Sequence, residues 1–394
     1  MEIRDASPDP AVHAPRPGGA PRVTVLYIQP VAERGGSDQA LLRMVRALGS
    51  QVSCHIVAPS PHPLTPEFEA VGATLHVVPM RRITRSGGLT WWIAYALGWP
   101  LAVARLALLV RRTGADVVHT NSLHSWYGWA AARITRRPHV WHARETVVQS
   151  SLALRLERVL TGHFADVVPC MSLAVAAQLP GAATRVVIDD ADRDEFNPAR
   201  AGAFRARVGM ADDVPVVAMA GRVDTWKGVE VALEAWPAVR SGRPDAELVV
   251  AGGPVTGKEA FYDSLAARAG ALPGVRWMGE RTDIGDLMAD ADVVLSVATE
   301  PEAYGLSAVE ALASGAKVVV TDRGGIPEIV ARARPGGGLL VPPRDAPALA
   351  AAVLRQLPPV TSTGLRRERP VQLDASPAPF LDLYEEILSR RPPD

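Results

Sequence analysis

A rhythm of short apolar runs separated by helix-length stretches, stated twice along the chain, restricts its fold more than any other feature. Arg22 to Gln29 (RVTVLYIQ), His55 to Ala58, Thr74 to Val78, Asp116 to Thr120 and Pro138 to His142 read as buried strands. Between them lie stretches rich in Ala, Leu and Arg, such as Asp38 to Leu48, with helical patterning. The same rhythm restarts at Val214 and continues through Glu247 to Gly252, Val275 to Gly279, Asp292 to Ser296 and Lys317 to Thr321. Strands this short and this evenly apolar, alternating with helices, require a parallel sheet covered on both faces. A chain of 394 residues is also too long for one compact core. The expectation is an α/β protein of two Rossmann-like, doubly wound domains whose strand carboxyl ends face a cleft, where such sheets bind ligands.

The boundaries follow from composition. Residues 1–21, rich in Pro, Ala, Gly and charge and without a long apolar segment, read as a disordered tail and not a signal peptide. An N-terminal domain over 22–190 and a C-terminal domain over 191–375 meet near an irregular stretch, about Pro180 to Pro198. Residues 376–394 contain a short amphipathic helix, Phe380 to Ser389, that is expected to pack back on the first domain.

Charge excludes some partners. Lys plus Arg and Asp plus Glu each number 42, so no global field draws the chain to nucleic acid and any anion site must be local. Cys54 and Cys170 are the only cysteines, with no CxxC pair and no His-rich cluster. That argues against a disulfide scaffold and a structural zinc, and fits a reducing, cytoplasmic compartment. Leu89 to Val110 is almost wholly apolar and ends in Arg111-Arg112, close to the ~20 residues of a membrane span. Gly98-Trp99-Pro100 is expected to break it, Arg105 interrupts it, and Trp91, Trp92 and Trp99 bunch at one end. A span, a pair of helices touching a membrane face, and an ordinary packed helix all satisfy this pattern.

Two segments carry the chemistry. Gly221-Arg222-Val223-Asp224-Thr225-Trp226-Lys227-Gly228 follows the apolar run Val214 to Ala220 and sets two cations beside glycines. Arg222 offers a planar fork and Lys227 a mobile point charge, which together suit a diphosphate. As the diphosphate departs it gains negative charge, so the same cations stabilise the transition state more than the ground state. Downstream, Thr299 to Gly315 (TEPEAYGLSAVEALASG) holds Glu302 and, eight positions later, Glu310. A fully helical segment would separate them by about 12 Å along its axis. That exceeds the roughly 5–9.5 Å of a hydrolytic carboxylate pair, so they suit opposite ends of one ligand. Glu302 is assigned to sugar hydroxyls and Glu310 to ribose hydroxyls. Ala303, Tyr304, Gly305, Leu306 and Ser307 between them open a helix whose amides can face phosphate.

Weaker signals surround these. Gly35-Gly36 lets backbone approach a ligand but is no GxGxxG fingerprint, which disfavours a nicotinamide enzyme. His142, with Arg144 and Glu145 after it, stands where a strand ends and can face a reacting hydroxyl or serve packing alone. Asp190-Ala191-Asp192 and Asp290-Ala291-Asp292 have metal-binding spacing but are assigned to turns, so no metal site is expected.

These residues resemble the retaining glycosyltransferases of family 4, which have the GT-B fold. Gly221-Arg222 with Lys227-Gly228 looks like that family's diphosphate clamp, and Glu302 to Glu310 like its E-x7-E motif. Thr321 to Glu328 is similar to its GG-x-PE turn, and Gly338 to Pro343 to its G-L-L-V-P-P segment. Gly35-Gly36-Ser37-Asp38 resembles its glycine loop, Asp116 to Asn121 its D-V-V-H strand, and His142 holds the place of a histidine that contacts the transferred sugar. One departure stands out: the family's Asn-Gly turn before D-x-x-x-F-x-P is replaced by Asp189-Asp190, adding negative charge. The resemblance implies metal-independent retaining transfer, with no cofactor beyond a UDP- or GDP-sugar donor, to a saccharide, lipid-linked or small-molecule hydroxyl. His142, Arg222, Lys227 and Glu302 would be catalytic; Gly35, Gly36 and 303–307 with Glu310 would complete donor binding. Rival readings are a non-catalytic sugar-nucleotide binder and a GT-B epimerase or phosphorylase.

Overall fold

The computed structural model describes residues 22–33, 35–81, 88–147, 151–333, 335–358 and 378–390. The tail expected over 1–21 lies outside the described residues, as do 359–377 and the last four positions. Internal contacts divide the chain into two compact units. The first runs to Thr120, takes His124–His139, and regains the chain from Pro377. The second holds Asn121–Leu123 and Val140–Ser376.

The first sheet is built from β1 (Val23–Ile28), β2 (Val52–Ala58), β3 (Thr74–Val77), β4 (Val117–Thr120) and β5 (His139–Trp141), in the order β3-β2-β1-β4-β5. The registers of β2–β3, β1–β2 and β1–β4 are parallel. Leu26, Ile28, Val57 and Val118 form its core with Ala102, Val103, Leu106 and Val110 of the helix Leu89–Thr113. Contrary to the expectation, Gly98-Trp99-Pro100 does not break that helix, which carries Pro100 inside 25 continuous residues. Proline forfeits one amide bond; burial of the apolar face beyond it outweighs the loss. Trp99 Nε1 also donates to the Trp126 carbonyl at 3.0 Å. Only one face is used: Ile93, Leu97, Leu101 and Leu108 remain exposed, Leu97 at 76%. The C-terminal helix Ala378–Ser389 belongs to this unit. Its Tyr384 hydroxyl lies 3.1 Å from the Tyr27 hydroxyl and 2.7 Å from His119 Nδ1.

In the second unit, β6 (Val168–Cys170) and β7 (Thr184–Val186) form a small parallel pair. β7 falls inside the stretch read as irregular, too short and too exposed to show a pattern. The main sheet comprises β8 (Val216–Ala220), β9 (Glu247–Ala251), β10 (Val275–Gly279), β11 (Val293–Ser296), β12 (Lys317–Thr321) and β13 (Gly338–Val341). Its order is β10-β9-β8-β11-β12-β13, and every register is parallel. Alternation along the strands feeds two cores. Val216, Ala218, Val294 and Val318 join the face covered by Ala308, Val309 and Leu312. Val217, Leu248, Val293 and Val319 face Leu233, Trp236, Leu349 and Val353. In this order the strand sequence reverses between β8 and β11, the place where open parallel sheets leave a ligand crevice. The β8–β11 ladder covers only Val217–Ala218 against Val293–Val294, before both strands reach that end.

Candidate functional site

The crevice at the carboxyl ends of β8 and β11 is a small pocket open to solvent. Gly221, Arg222 and Lys227 reach it from the loop after β8, Ser296, Ala298 and Glu302 from the end of β11 and its loop, and Ser307 from the next helix. Gly228 ends the first loop with φ +80°, and a Cβ there would meet the Val297 carbonyl oxygen at 1.9 Å. Only glycine fits both constraints. The loop is held further by Thr299 N donating to the Trp226 carbonyl at 2.7 Å.

Lys227 Nζ donates to Glu302 Oε1 at 2.6 Å and lies 4.3 Å from the Trp226 ring centroid. The cation is thus aimed by a carboxylate and an aromatic face together. Glu302 Oε2 is buried without a hydrogen-bond partner among the described residues. A carboxylate oxygen in that position is a standing acceptor site, and leaving it unmet costs free energy. In the loop that carries Lys227, burial works to raise the pKa of Asp224, yet bonds from the Lys258 ammonium and the Thr225 amide bring it below the usual carboxylate range.

The second motif is fastened residue by residue. The Glu302 carbonyl accepts from Gly325 N at 2.8 Å, and the Ala303 carbonyl from Ser172 Oγ at 2.7 Å. The Tyr304 hydroxyl donates to the Asp189 carbonyl at 2.7 Å. Gly305 then caps the helix Leu306–Ala313 with φ +91° and offers no side chain to its first amides. Ser307 Oγ is 3.3 Å from Ser296 Oγ. Glu310 is half-buried on the same helix and is not among the residues lining the pocket.

The other expected residues lie elsewhere. His142 is wholly buried just past β5. Gly35 and Gly36 stand in the first unit, where Gly35 caps the helix Gly36–Leu48. Asp38 of that turn accepts from Gln29 Nε2 at 2.9 Å and pairs with His62 Nε2 at 2.8 Å. The acidic pairs serve backbone. Asp290 accepts from the amides of Gly202, Phe204 and Arg205, and Asp292 from Val216. Asp190 is met by Arg193. Asp189, which stands where the family has asparagine, is neutralised by Arg144, whose Nη1 and Nη2 both donate to its Oδ2 at 2.9 and 2.7 Å. The sequence held no signal for Ser172 and assigned no role to Trp226, while Asp189 was marked by its replacement of the Asn-Gly turn.

Two family models match: "Glycosyl transferases group 1" over 214–358 and "Glycosyl transferase 4-like domain" over 35–181. The chain belongs to the group 1 glycosyltransferases of family 4. Among curated relatives, the D-inositol 3-phosphate glycosyltransferase of Streptomyces avermitilis is 34% identical over 271 residues, covering 61% of the chain and 57% of the relative. That of Jonesia denitrificans is 36% identical over 148 residues, 36% of the chain and 34% of the relative. The chain thus matches between a third and somewhat over half of these relatives' length. Anabaena Alr3699/HepE, solved with UDP and glucose, superposes with TM-score 0.72 at 21% identity, over 94% of this chain and 100% of that one. Sucrose-phosphate synthase from Thermosynechococcus elongatus gives TM-score 0.71 at 20% identity, over 94% and 100%. These likenesses establish the GT-B fold expected from the sequence.

Proposed function

We propose that this glycosyltransferase moves a sugar from a nucleotide-diphosphate donor to a hydroxyl acceptor, with retention at the anomeric carbon. The observation that carries the reading is Glu302, one oxygen held by Lys227 and the other buried without a partner, in a pocket that also takes Arg222. Such a carboxylate accepts from sugar hydroxyls while the two cations face the diphosphate. Solved neighbours that hold UDP and UDP-glucose make uridine donors the first to test. Relatives named for inositol 3-phosphate make a phosphorylated polyol the first acceptor. In the step itself the anomeric carbon–phosphate oxygen bond breaks on the face where the acceptor oxygen bonds. The acceptor proton passes to the departing phosphate oxygen. His142, buried past β5, is assigned to the transferred sugar, Gly35 and Gly36 to the phosphates, and Glu310 to the ribose.

No metal and no cofactor are invoked, because Arg222 and Lys227 supply the positive charge and the DxD-like acids are engaged by backbone amides and arginines. Peripheral docking on an anionic, cytoplasmic membrane face completes the reading. It is supported by the exposed apolar face of Leu89–Thr113, a helix that ends in exposed Arg111 and Arg112, carries exposed Arg105 and bears no acid. The buried free thiols of Cys54 and Cys170 fit that compartment.

The test is acceptor-dependent release of nucleoside diphosphate from UDP- and GDP-sugars, with the product anomer read by NMR and a parallel run in chelator. An inverted anomer overturns retention, and loss of turnover in chelator overturns metal independence. Donor binding without transfer to any acceptor points to a non-catalytic binder. Isomerised donor, or turnover that needs phosphate, points to an epimerase or a phosphorylase.

A further inference from the structure

We propose that Arg144 and Asp189 are positioning residues for the donor loop, carrying its register to the segment that bears His142; this rests on the transfer reading above. Arg144 follows His142 by two positions, and the backbone between them is pinned by Ala143 N donating to the Pro169 carbonyl at 2.8 Å. Its guanidinium closes on a single Asp189 oxygen from two nitrogens, with side chains 3% and 8% exposed. The same Asp189 offers its carbonyl to the Tyr304 hydroxyl, and Tyr304 is 5% exposed. Two residues before Tyr304 stands Glu302, with its bond to Lys227. Buried hydrogen bonds therefore run from the His142 segment through Arg144 and Asp189 to Tyr304, and two residues of backbone carry the register on to Glu302, the carboxylate assigned to the sugar.

The arrangement accounts for the loss of the Asn-Gly turn. A neutral asparagine needs no counter-charge, whereas a buried aspartate needs a cation or several hydrogen-bond donors, and a buried charge left alone is strongly unfavourable. Pairing makes the placement of the Asp189 backbone depend on Arg144, and with it the acceptor that anchors Tyr304. Asp190 takes no part, since Arg193 meets it separately. Small displacements of reacting groups cost much in rate, so the effect belongs in turnover more than in donor affinity.

Arg144→Gln, Asp189→Asn, Tyr304→Phe and two double variants, Arg144→Gln/Asp189→Asn and Asp189→Asn/Tyr304→Phe, test this. Arg144→Gln is expected to lower kcat about tenfold, with donor KM within about twofold of the parent protein. The neutral pair in Arg144→Gln/Asp189→Asn is expected to recover at least half of that loss on a logarithmic scale. Asp189→Asn/Tyr304→Phe is expected to be no slower than the slower of its two singles, because both act on one anchor. Additive losses without rescue, or an equal rise in KM, would overturn the proposal. A second readout needs no activity: amide hydrogen exchange over 302–307 should quicken in Arg144→Gln while the strands β8 and β9 stay protected. Unchanged exchange there overturns the positioning role even if the parent protein transfers no sugar, and absent transfer with quickened exchange overturns only the transfer reading.

Discussion

Lys227 and Glu302 form the contact on which the donor-site assignment turns. Each constrains the other: the ammonium sits between a carboxylate and the Trp226 ring, and the carboxylate keeps one oxygen for a ligand. Lys227→Ala and Glu302→Gln should each lower kcat/KM tenfold or more, about 1.4 kcal/mol or above, in steady-state assays. The melting temperature should hardly move, since this partly exposed pair adds little to stability. Gly228 makes the opposite kind of prediction. Its φ is positive, and an alanine methyl carbon would stand 1.9 Å from the Val297 carbonyl oxygen. Gly228→Ala should therefore destabilise the protein by about 1–3 kcal/mol in urea unfolding.

At the scale of elements, the first sheet carries a pH response. His55 on β2 and His76 on β3 set their rings edge to edge, Nδ1 to Nε2 at 3.2 Å. Burial lowers the pKa of both below the ordinary 6.5, and for His55 the neighbouring ring adds to it. A folded pKa below the unfolded one means the stabilisation is present above about pH 6.5 and is lost as pH falls through the folded value. Stability of the parent protein should therefore drop from about pH 7 to about pH 5 more steeply than that of His55→Gln/His76→Gln, measured by urea midpoints. The helix Leu89–Thr113 makes a second prediction. If its exposed stripe meets a bilayer, the protein pellets with anionic vesicles and not with neutral ones, and Leu97→Asp/Leu101→Asp releases it. Equal recovery from both vesicle types removes the membrane from the reading.

For the whole molecule, ligand binding must raise apparent stability by mass action, about 2.7 kcal/mol at a hundredfold excess over Kd. A scan of uridine, guanosine and adenosine diphosphates and their sugar conjugates should give a selective shift in thermal unfolding. Glu310→Ala should weaken it if that residue reads the ribose. A shift that survives Glu310→Ala unchanged removes Glu310 from the donor site, consistent with its place outside the lining of the pocket.

Periodicity marked the strands of the two main parallel sheets other than β13, because a strand buried on both faces must be apolar at nearly every position, as Val216–Ala220 and Glu247–Ala251 are. Spacing likewise marked Arg222, Lys227, Glu302 and Ser307, which the fold brings to one crevice: they follow strands, and adjacent parallel strands deliver their carboxyl ends to the same edge. Continuity of the helix through Pro100 was not legible, because local propensity argues for a break and only burial of Ala102, Val103, Leu106 and Val110 decides otherwise. β7 was hidden for the reverse reason, its three residues, two of them exposed, holding their place through pairing with β6. The partners of Asp189 lie 45 and 115 positions away in sequence, and no local pattern encodes an ion pair of that separation. Such pairings are set when packing excludes water and each buried charge must find its counterpart, which only the tertiary structure decides.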